Sequence, residues 1–144
     1  MTLYDDLGGF DAILAVCHRW NALCLADPVA EHPFSRAAVH PQHDERLAAY
    51  LSEAAGGPKL YTGGYGSETK MQRMHAGNGP HPELDEICLR LFDQALAESP
   101  IEPTAAERLG AYFREATQAM TRYDVSADLV PRGLPLRMAD GGAS

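Results

Sequence analysis

The chain has 144 residues with a formal net charge of −8, 45% hydrophobic residues and 22% charged residues. This length and balance are typical of one globular domain with room for an apolar core. Its 12 Lys and Arg residues argue against nucleic acid as a partner, because a phosphate backbone selects clustered positive charge. No apolar run approaches the roughly 20 residues of a membrane span, and the N-terminus shows no signal-peptide pattern. We therefore expect a cytoplasmic protein without a membrane partner, with monomer and homodimer both open.

The three cysteines predict neither a disulfide framework nor a zinc ribbon. Their number is odd, and no two of them have the CxxC spacing. Cys17 and Cys24 are seven residues apart, which puts both on one face of a helix. We expect these two to be small residues of the core.

The first half of the chain contains two predicted helices. Apolar residues at three- and four-residue spacing predict a helix over 12–26, ended by Asp27 and Pro28. A second helix begins near Pro41 and runs to residue 55, where two glycines and a proline end it. Residues 59–69 are glycine-rich and typical of a loop.

The second half contains one very short helix and two long ones. Residues 71–75 allow at most two helical turns before Gly77 and Gly79. Apolar stripes predict helices over 82–98 and 104–123, the latter with a capping-box pattern from Thr104 to Glu107. No alternating β pattern of useful length appears, so the fold class is all-α. We expect one domain over residues 1–123 and an irregular tail over 124–144.

Among the six histidines, His75 combines several features of a haem ligand. It ends a turn that contains the apolar Met71, a glycine-rich loop follows it, and Lys70 and Arg73 are close in sequence. A haem needs an imidazole for its iron, an apolar wall for the porphyrin and cations for two propionates. The alternative is a short helix with a solvated cationic face.

From Leu3 to about Tyr123 the chain resembles the truncated haemoglobins, most closely their group II branch, in the order and spacing of its landmarks. These are Leu3-Tyr4 with Gly8-Gly9, Ala26-Asp27-Pro28, Phe34, His40-Pro41-Gln42-His43, Gly56-Gly57-Pro58 with Tyr61-Thr62, and Met74-His75. The resemblance implies a shortened globin, a two-over-two helical sandwich whose F helix is very short. It also implies haem b as the cofactor.

The resemblance assigns roles to particular residues. It makes His75 the proximal iron ligand, Phe34 the aromatic residue that packs on the haem at the CD corner, and His43 the distal residue facing a bound ligand. Leu47 becomes apolar cover on the distal face. The other implied haem contacts are the candidate propionate partners Arg46, Tyr61, Lys70 and Arg73, together with Met71 in the apolar wall. For His43 a different interpretation is a surface pair with His40 that binds adventitious metal.

Two positions depart from the group II pattern. Asn21 stands where the branch usually has a B-helix tyrosine, and its amide could still donate a hydrogen bond to a ligand. Cys88, thirteen residues after His75, replaces a G-helix tryptophan and so removes a large indole from the pocket. His43 could therefore donate to bound oxygen or occupy the sixth iron position itself. Cys88 is either a packing residue or, beside the haem, a site of oxidation or ligation.

Three functions remain open at this stage. The first is a haem globin that binds oxygen or another diatomic ligand (NO, CO) at iron ligated by His75, with His43 and Asn21 on the distal side. The second is a haem enzyme at the same site, an NO dioxygenase or a peroxidase, which would need a separate reductase. The third is a haem-free globin scaffold whose Met- and aromatic-rich groove binds another molecule.

Overall fold

The computed structural model describes residues 1–31, 33 and 41–139. Within these ranges the regular secondary structure is helical, without a β-strand. The helices are α1 (Leu3–Leu7), α2 (Phe10–Ala26), α3 (His43–Ala54), α4 (Glu68–His75), α5 (Pro82–Ala97) and α6 (Pro103–Met120). Two 3₁₀ turns follow, at Thr121–Tyr123 and Ala127–Leu129. None of the described helices is both long and apolar enough to span a bilayer.

The long helices form two packed pairs. Helix α2 packs against α3, α5 packs against α6, and a contact between α2 and α5 joins the pairs. Three aromatic rings fill this junction: Trp20 meets Phe92 and Phe113 edge-on, at 5.7 and 5.2 Å between ring centroids, and the two phenyl rings stack at 3.9 Å. The all-α, two-over-two expectation is confirmed. Cys17 and Cys24 are fully buried, as expected.

Three differences from the sequence prediction concern a short helix, a helix start and a helix cap. Helix α1 was not predicted; a capping box between Thr2 and Asp5 holds its five residues. Helix α4 begins three residues earlier than expected, because the Ser67 hydroxyl caps it by accepting from the amide of Lys70 at 3.2 Å. The predicted capping box at the start of α6 was wrong: the Glu102 carboxylate caps this helix instead.

Candidate functional site

His75 is the last residue of α4 and is exposed to solvent. Its Nδ1 lies 2.8 Å from the carbonyl oxygen of Met71, one turn earlier. A carbonyl oxygen can only accept a hydrogen bond, so Nδ1 carries a proton, and in the neutral form of the ring the lone pair is on Nε2. This is the arrangement of a histidine that ligates metal through Nε2, with its ring oriented by a backbone acceptor.

The loop after His75 is hydrogen-bonded to the 3₁₀ turn that follows α6. The amide of Gly77 donates to the carbonyl of Tyr123 at 2.9 Å, and the amide of Gly79 donates to that of Asp124 at 2.8 Å. Both glycines have positive φ, 77° and 74°, which lets the chain turn sharply straight after the helix. The position of His75 is therefore fixed from the C-terminal side as well as from its own helix.

Two exposed cations accompany His75 on α4. Lys70 and Arg73 form no ion pair with any residue of the described ranges. Met71 between them is half-buried and packs against the core. The helix thus combines an imidazole, an apolar side chain and two cations within six residues.

Arg46 of α3 lies in an aromatic cluster that precedes α4. Its guanidinium is 5.3 Å from the centre of the Tyr65 ring and its Nη1 is 3.4 Å from the Tyr65 carbonyl oxygen. Its Nε is buried and has no hydrogen-bond partner among the described residues. Tyr61 stacks on Tyr65 and meets Tyr50 edge-on, and burial raises the pKa of its phenol against the opposing effect of the Arg46 charge. The structure therefore brings Arg46 and Tyr61 together, with the Tyr61 side chain almost fully enclosed.

His43 is the first residue of α3, and a carboxylate holds its ring. Its Nδ1 is 3.0 Å from Oδ1 of Asp44, whose other oxygen is 2.6 Å from Nδ1 of His18 on α2. One carboxylate therefore bridges two imidazoles and ties the start of α3 to the middle of α2. Leu47, one turn after His43, is half-buried against the core.

Asn21 lies one turn after His18 on α2. Its Oδ1 is buried and has no hydrogen-bond partner in the part of the chain that the structure describes, an arrangement that costs about 1–3 kcal/mol unless a partner is supplied. Because the two ends of an amide exchange by rotation, the same position can present the Nδ2 donor. Asn21 is thus a polar group suited to meet a polar ligand.

Cys88 on α5 contacts Cys24 and Trp20 of α2. The indole Nε1 of Trp20 donates to the Cys88 carbonyl at 2.9 Å. A hydrogen bond from the Cys24 thiol lowers the pKa of the Cys88 thiol, and the same bond is the main reason why the pKa of Cys24 is raised. All three cysteines are free thiols, and Cys88 is half-buried.

The surfaces that carry His43 and His75 are joined by one hydrogen bond. The Tyr50 hydroxyl donates to Oε1 of Glu68 at 2.6 Å. Tyr50 is two helical turns after His43, and Glu68 is two turns before His75, so each pair shares a helix face. The two histidine-bearing faces of α3 and α4 therefore turn toward each other.

Sequence reasoning missed Glu68, the buried first residue of α4. It lies at the edge of a glycine-rich stretch that was predicted to be a loop, so no helical period pointed to it. The only local signal is Ser67, a preferred N-cap residue directly before it. Two residues of the sequence-based site, Phe34 and the His40 of the alternative pair, lie outside the described residues.

Comparison with known proteins gives one family and several similar structures. The model of the family described as "Bacterial-like globin" matches residues 2–122. A haemoglobin from the thermophilic phototrophic bacterium Chloroflexus aurantiacus is 28% identical, with a TM-score of 0.72 over 83% of this chain and 97% of that one. A thermostable haemoglobin from the actinobacterium Thermobifida fusca is 24% identical, with a TM-score of 0.70 over 84% and 97% of the two chains.

A third similar structure is a cold-adapted truncated haemoglobin from the Antarctic marine bacterium Pseudoalteromonas haloplanktis. It is 22% identical, with a TM-score of 0.68 over 83% of this chain and 97% of that one. No curated protein shows significant sequence similarity to the chain.

Proposed function

The chain belongs to the bacterial-like globin family, and from this we propose that it binds haem b through His75 and takes up oxygen or another diatomic ligand (NO, CO) there. The observation that carries the proposal is the 2.8 Å contact between Nδ1 of His75 and the Met71 carbonyl, which leaves the Nε2 lone pair for iron. Bound haem would supply an open iron position at which diatomic ligands bind reversibly. Assignment to the group II branch stays a prediction from the sequence landmarks.

The other residues of α3 and α4 fit a haem by their chemistry. Nε of Arg46 is a buried donor without an acceptor among the described residues. Lys70 and Arg73 are cations without an acidic partner in the described part of a protein whose net charge is −8. We assign these three to the propionates, and Met71 and Phe34 to the apolar wall. Tyr61 contributes at the same edge mainly through its packing with Tyr65, next to Arg46.

On the distal side we assign the hydrogen-bond donor to Asn21. Oδ1 of Asp44 accepts from Nδ1 of His43, so this nitrogen is already bonded to a carboxylate of the protein. The Asn21 amide, whose oxygen has no hydrogen-bond partner among the described residues, is the polar group that a ligand would complete. Leu47 excludes water from the same side. Cys88 acts as a packing residue beside Cys24.

The visible spectrum of the purified protein after addition of hemin tests this function. We expect a sharp Soret band in the wild type, which shifts when CO is added to the dithionite-reduced protein. His75→Ala should weaken or alter this band. His81→Ala is the matched control, since His81 precedes α5 and pairs with Asp85 at 2.9 Å. Failure of the wild type to take up hemin, or equal spectra for the two variants, would exclude the proposed role of His75.

A further inference from the structure

Glu68 is a buried carboxylate, 3% exposed, at the first residue of the helix that ends in His75. Its oxygens accept from the Tyr50 hydroxyl at 2.6 Å, from Nε2 of Gln72 at 2.7 Å and from the amide of Arg137 at 3.0 Å. No Lys or Arg side chain pairs with it in the described ranges. These donors come from three parts of the chain: α3, α4 itself and the C-terminal segment.

The C-terminal segment, residues 130–139, crosses α4 and α6, and we name it the strap. The Thr69 hydroxyl donates to the carbonyl of Pro131 at 2.9 Å and accepts from the amide of Leu134 at 3.0 Å. The Tyr112 hydroxyl of α6 donates to the Arg137 carbonyl at 2.7 Å. Val130 and Ala139, at the two ends of the strap, are buried. The strap lies beyond residue 122, where the family match ends.

These contacts decide where α4 lies. A helix of eight residues has too few internal hydrogen bonds to be stable alone, so its position depends on its tertiary contacts. Glu68, Gln72 and His75 follow one another on a single face at three- and four-residue spacing. Glu68 is the residue of this face that bonds to both α3 and the strap. Loss of the Glu68 hydrogen bonds would therefore shift α4 and, with it, the imidazole ring of His75.

We propose that Glu68 is a positioning residue for His75 and that the strap is the element through which it acts. The proposal rests on the haem ligation by His75 proposed above. Glu68 touches neither haem nor ligand. Glu68 fixes the axial position and the rotation of α4 relative to α3. The Nε2 lone pair of His75 then has a single orientation.

The variants that test the proposal are Glu68→Gln and Thr69→Val. The glutamine keeps the size of the side chain but removes its charge, so the bonds from Tyr50 and Arg137 lose their charge assistance. Its new NH2 group faces the amide of Gln72, which must turn over to accept from it. The valine removes both bonds of the Thr69 hydroxyl to the strap. The matched control is Glu53→Gln, which changes a second buried carboxylate, on α3 rather than α4. Glu53 is 7% exposed and accepts from the amides of Tyr61 and Thr62 at 3.1 and 2.9 Å and from the Thr62 hydroxyl at 2.6 Å. None of these three bonds involves α4.

The first readout is the iron–histidine stretching band in the resonance Raman spectrum of the dithionite-reduced, hemin-loaded protein. We expect Glu68→Gln and Thr69→Val to shift or split this band, because His75 then adopts more than one orientation. We also expect hemin loss to apomyoglobin to become about tenfold faster, the factor that corresponds to one lost hydrogen bond. Glu53→Gln should lower the unfolding midpoint without moving the band.

The second readout uses the haem-free protein. Amide hydrogen exchange should accelerate at Leu134 and Arg137 and along α4 in both test variants, and remain at wild-type rates there in Glu53→Gln. An unchanged Raman band in Glu68→Gln, while wild type still binds hemin through His75, would overturn the positioning role and leave the haem function standing. Failure of the wild type to bind hemin would overturn both the haem function and the positioning role of Glu68. The exchange data would then show whether Glu68 couples the strap to α4.

Discussion

The indole Nε1 of Trp20 lies 2.9 Å from the carbonyl oxygen of Cys88, so a side chain of α2 is bonded to the backbone of α5. The same ring packs edge-on against Phe92 and Phe113. The bond therefore fixes the contact between α2 and α5, which joins the two helix pairs. The chain has a single tryptophan, and it occupies this junction.

We expect Trp20→Phe to lower the free energy of unfolding by about 1–3 kcal/mol, because the indole bond to the Cys88 carbonyl and part of the ring contact are lost, while the helical bond of that carbonyl is kept. Denaturant unfolding of the haem-free protein measures this change. Arg19→Gln is the control on the same helix: its exposed ion pair with Glu98 should be worth less than about 1 kcal/mol. Equal losses in the two variants would contradict the structural role of the indole bond.

Asn21 and His43, the two polar residues assigned to the distal side, differ in their hydrogen bonds. We expect Asn21→Ala to raise the oxygen dissociation rate roughly 10- to 100-fold, since a lost hydrogen bond of about 1–3 kcal/mol corresponds to that range. His43→Leu should change the same rate by only a few-fold, because Nδ1 of His43 is bonded to Asp44 rather than directed to a ligand. Stopped-flow measurement on the ferrous protein decides between them. The reverse order of effects would mean that His43 is the donor.

Buried phenols predict a loss of stability at alkaline pH. Burial raises the pKa of Tyr50 and Tyr112 in the folded protein, whereas in the unfolded chain a tyrosine ionises near pH 10. Above about pH 10 the unfolded state therefore holds fewer protons, and the free energy of unfolding falls as pH rises, by up to about 1.4 kcal/mol per pH unit for each tyrosine. Below pH 10 these two groups contribute no pH dependence.

Tyr50→Phe isolates one of the two contributions. The variant loses the hydrogen bond to Glu68, so its stability at pH 7 is lower. Its slope between pH 10 and 11 should nevertheless be shallower than that of the wild type. Denaturant titrations at several pH values measure both quantities, and parallel curves for the two proteins would contradict the assignment.

Gly57 allows the turn after α3 to approach α1. A Cβ there would lie 2.6 Å from Cδ1 of Tyr4 and 2.9 Å from the carbonyl oxygen of Ser52. We expect Gly57→Ala to cost about 1–3 kcal/mol by overpacking. Gly64→Ala is the control, since the nearest atom, the Leu60 carbonyl oxygen, would be 3.7 Å away. Its stability should match the wild type or exceed it slightly, and a comparable loss at both positions would rule out the steric explanation.

The sequence was most informative where a long apolar period exists. Helices α2, α5 and α6 were predicted to within two or three residues because their buried positions recur at helical spacing over 16 or more residues. Helix α1 has five residues, too few to show a period, and depends on its capping box and on a bond from the Tyr4 amide to the Ala55 carbonyl. Such a distant contact leaves no local pattern.

The candidate site divides in the same way. His75, Met71 and the cations of α4 could be proposed from composition and from the family resemblance, since they are neighbours in the chain. The pairing of His43 with Asp44 and His18, and the burial of Glu68, could not be proposed. These depend on how α2, α3, α4 and the C-terminal segment come together. A carboxylate in sequence looks the same whether it is solvated or buried.

The strap also bears on the order in which the protein folds. Its hydrogen bonds to Thr69 and Glu68 join residues 62, 65 and 69 positions apart. Closing loops of this length costs chain entropy before the contacts form, so local helices and neighbouring pairs are expected to assemble first. Helix α4 would then be among the last elements to reach its native place. If haem reaches the chain early in folding, the main helix pairs would be formed but the orientation of His75 would not yet be fixed.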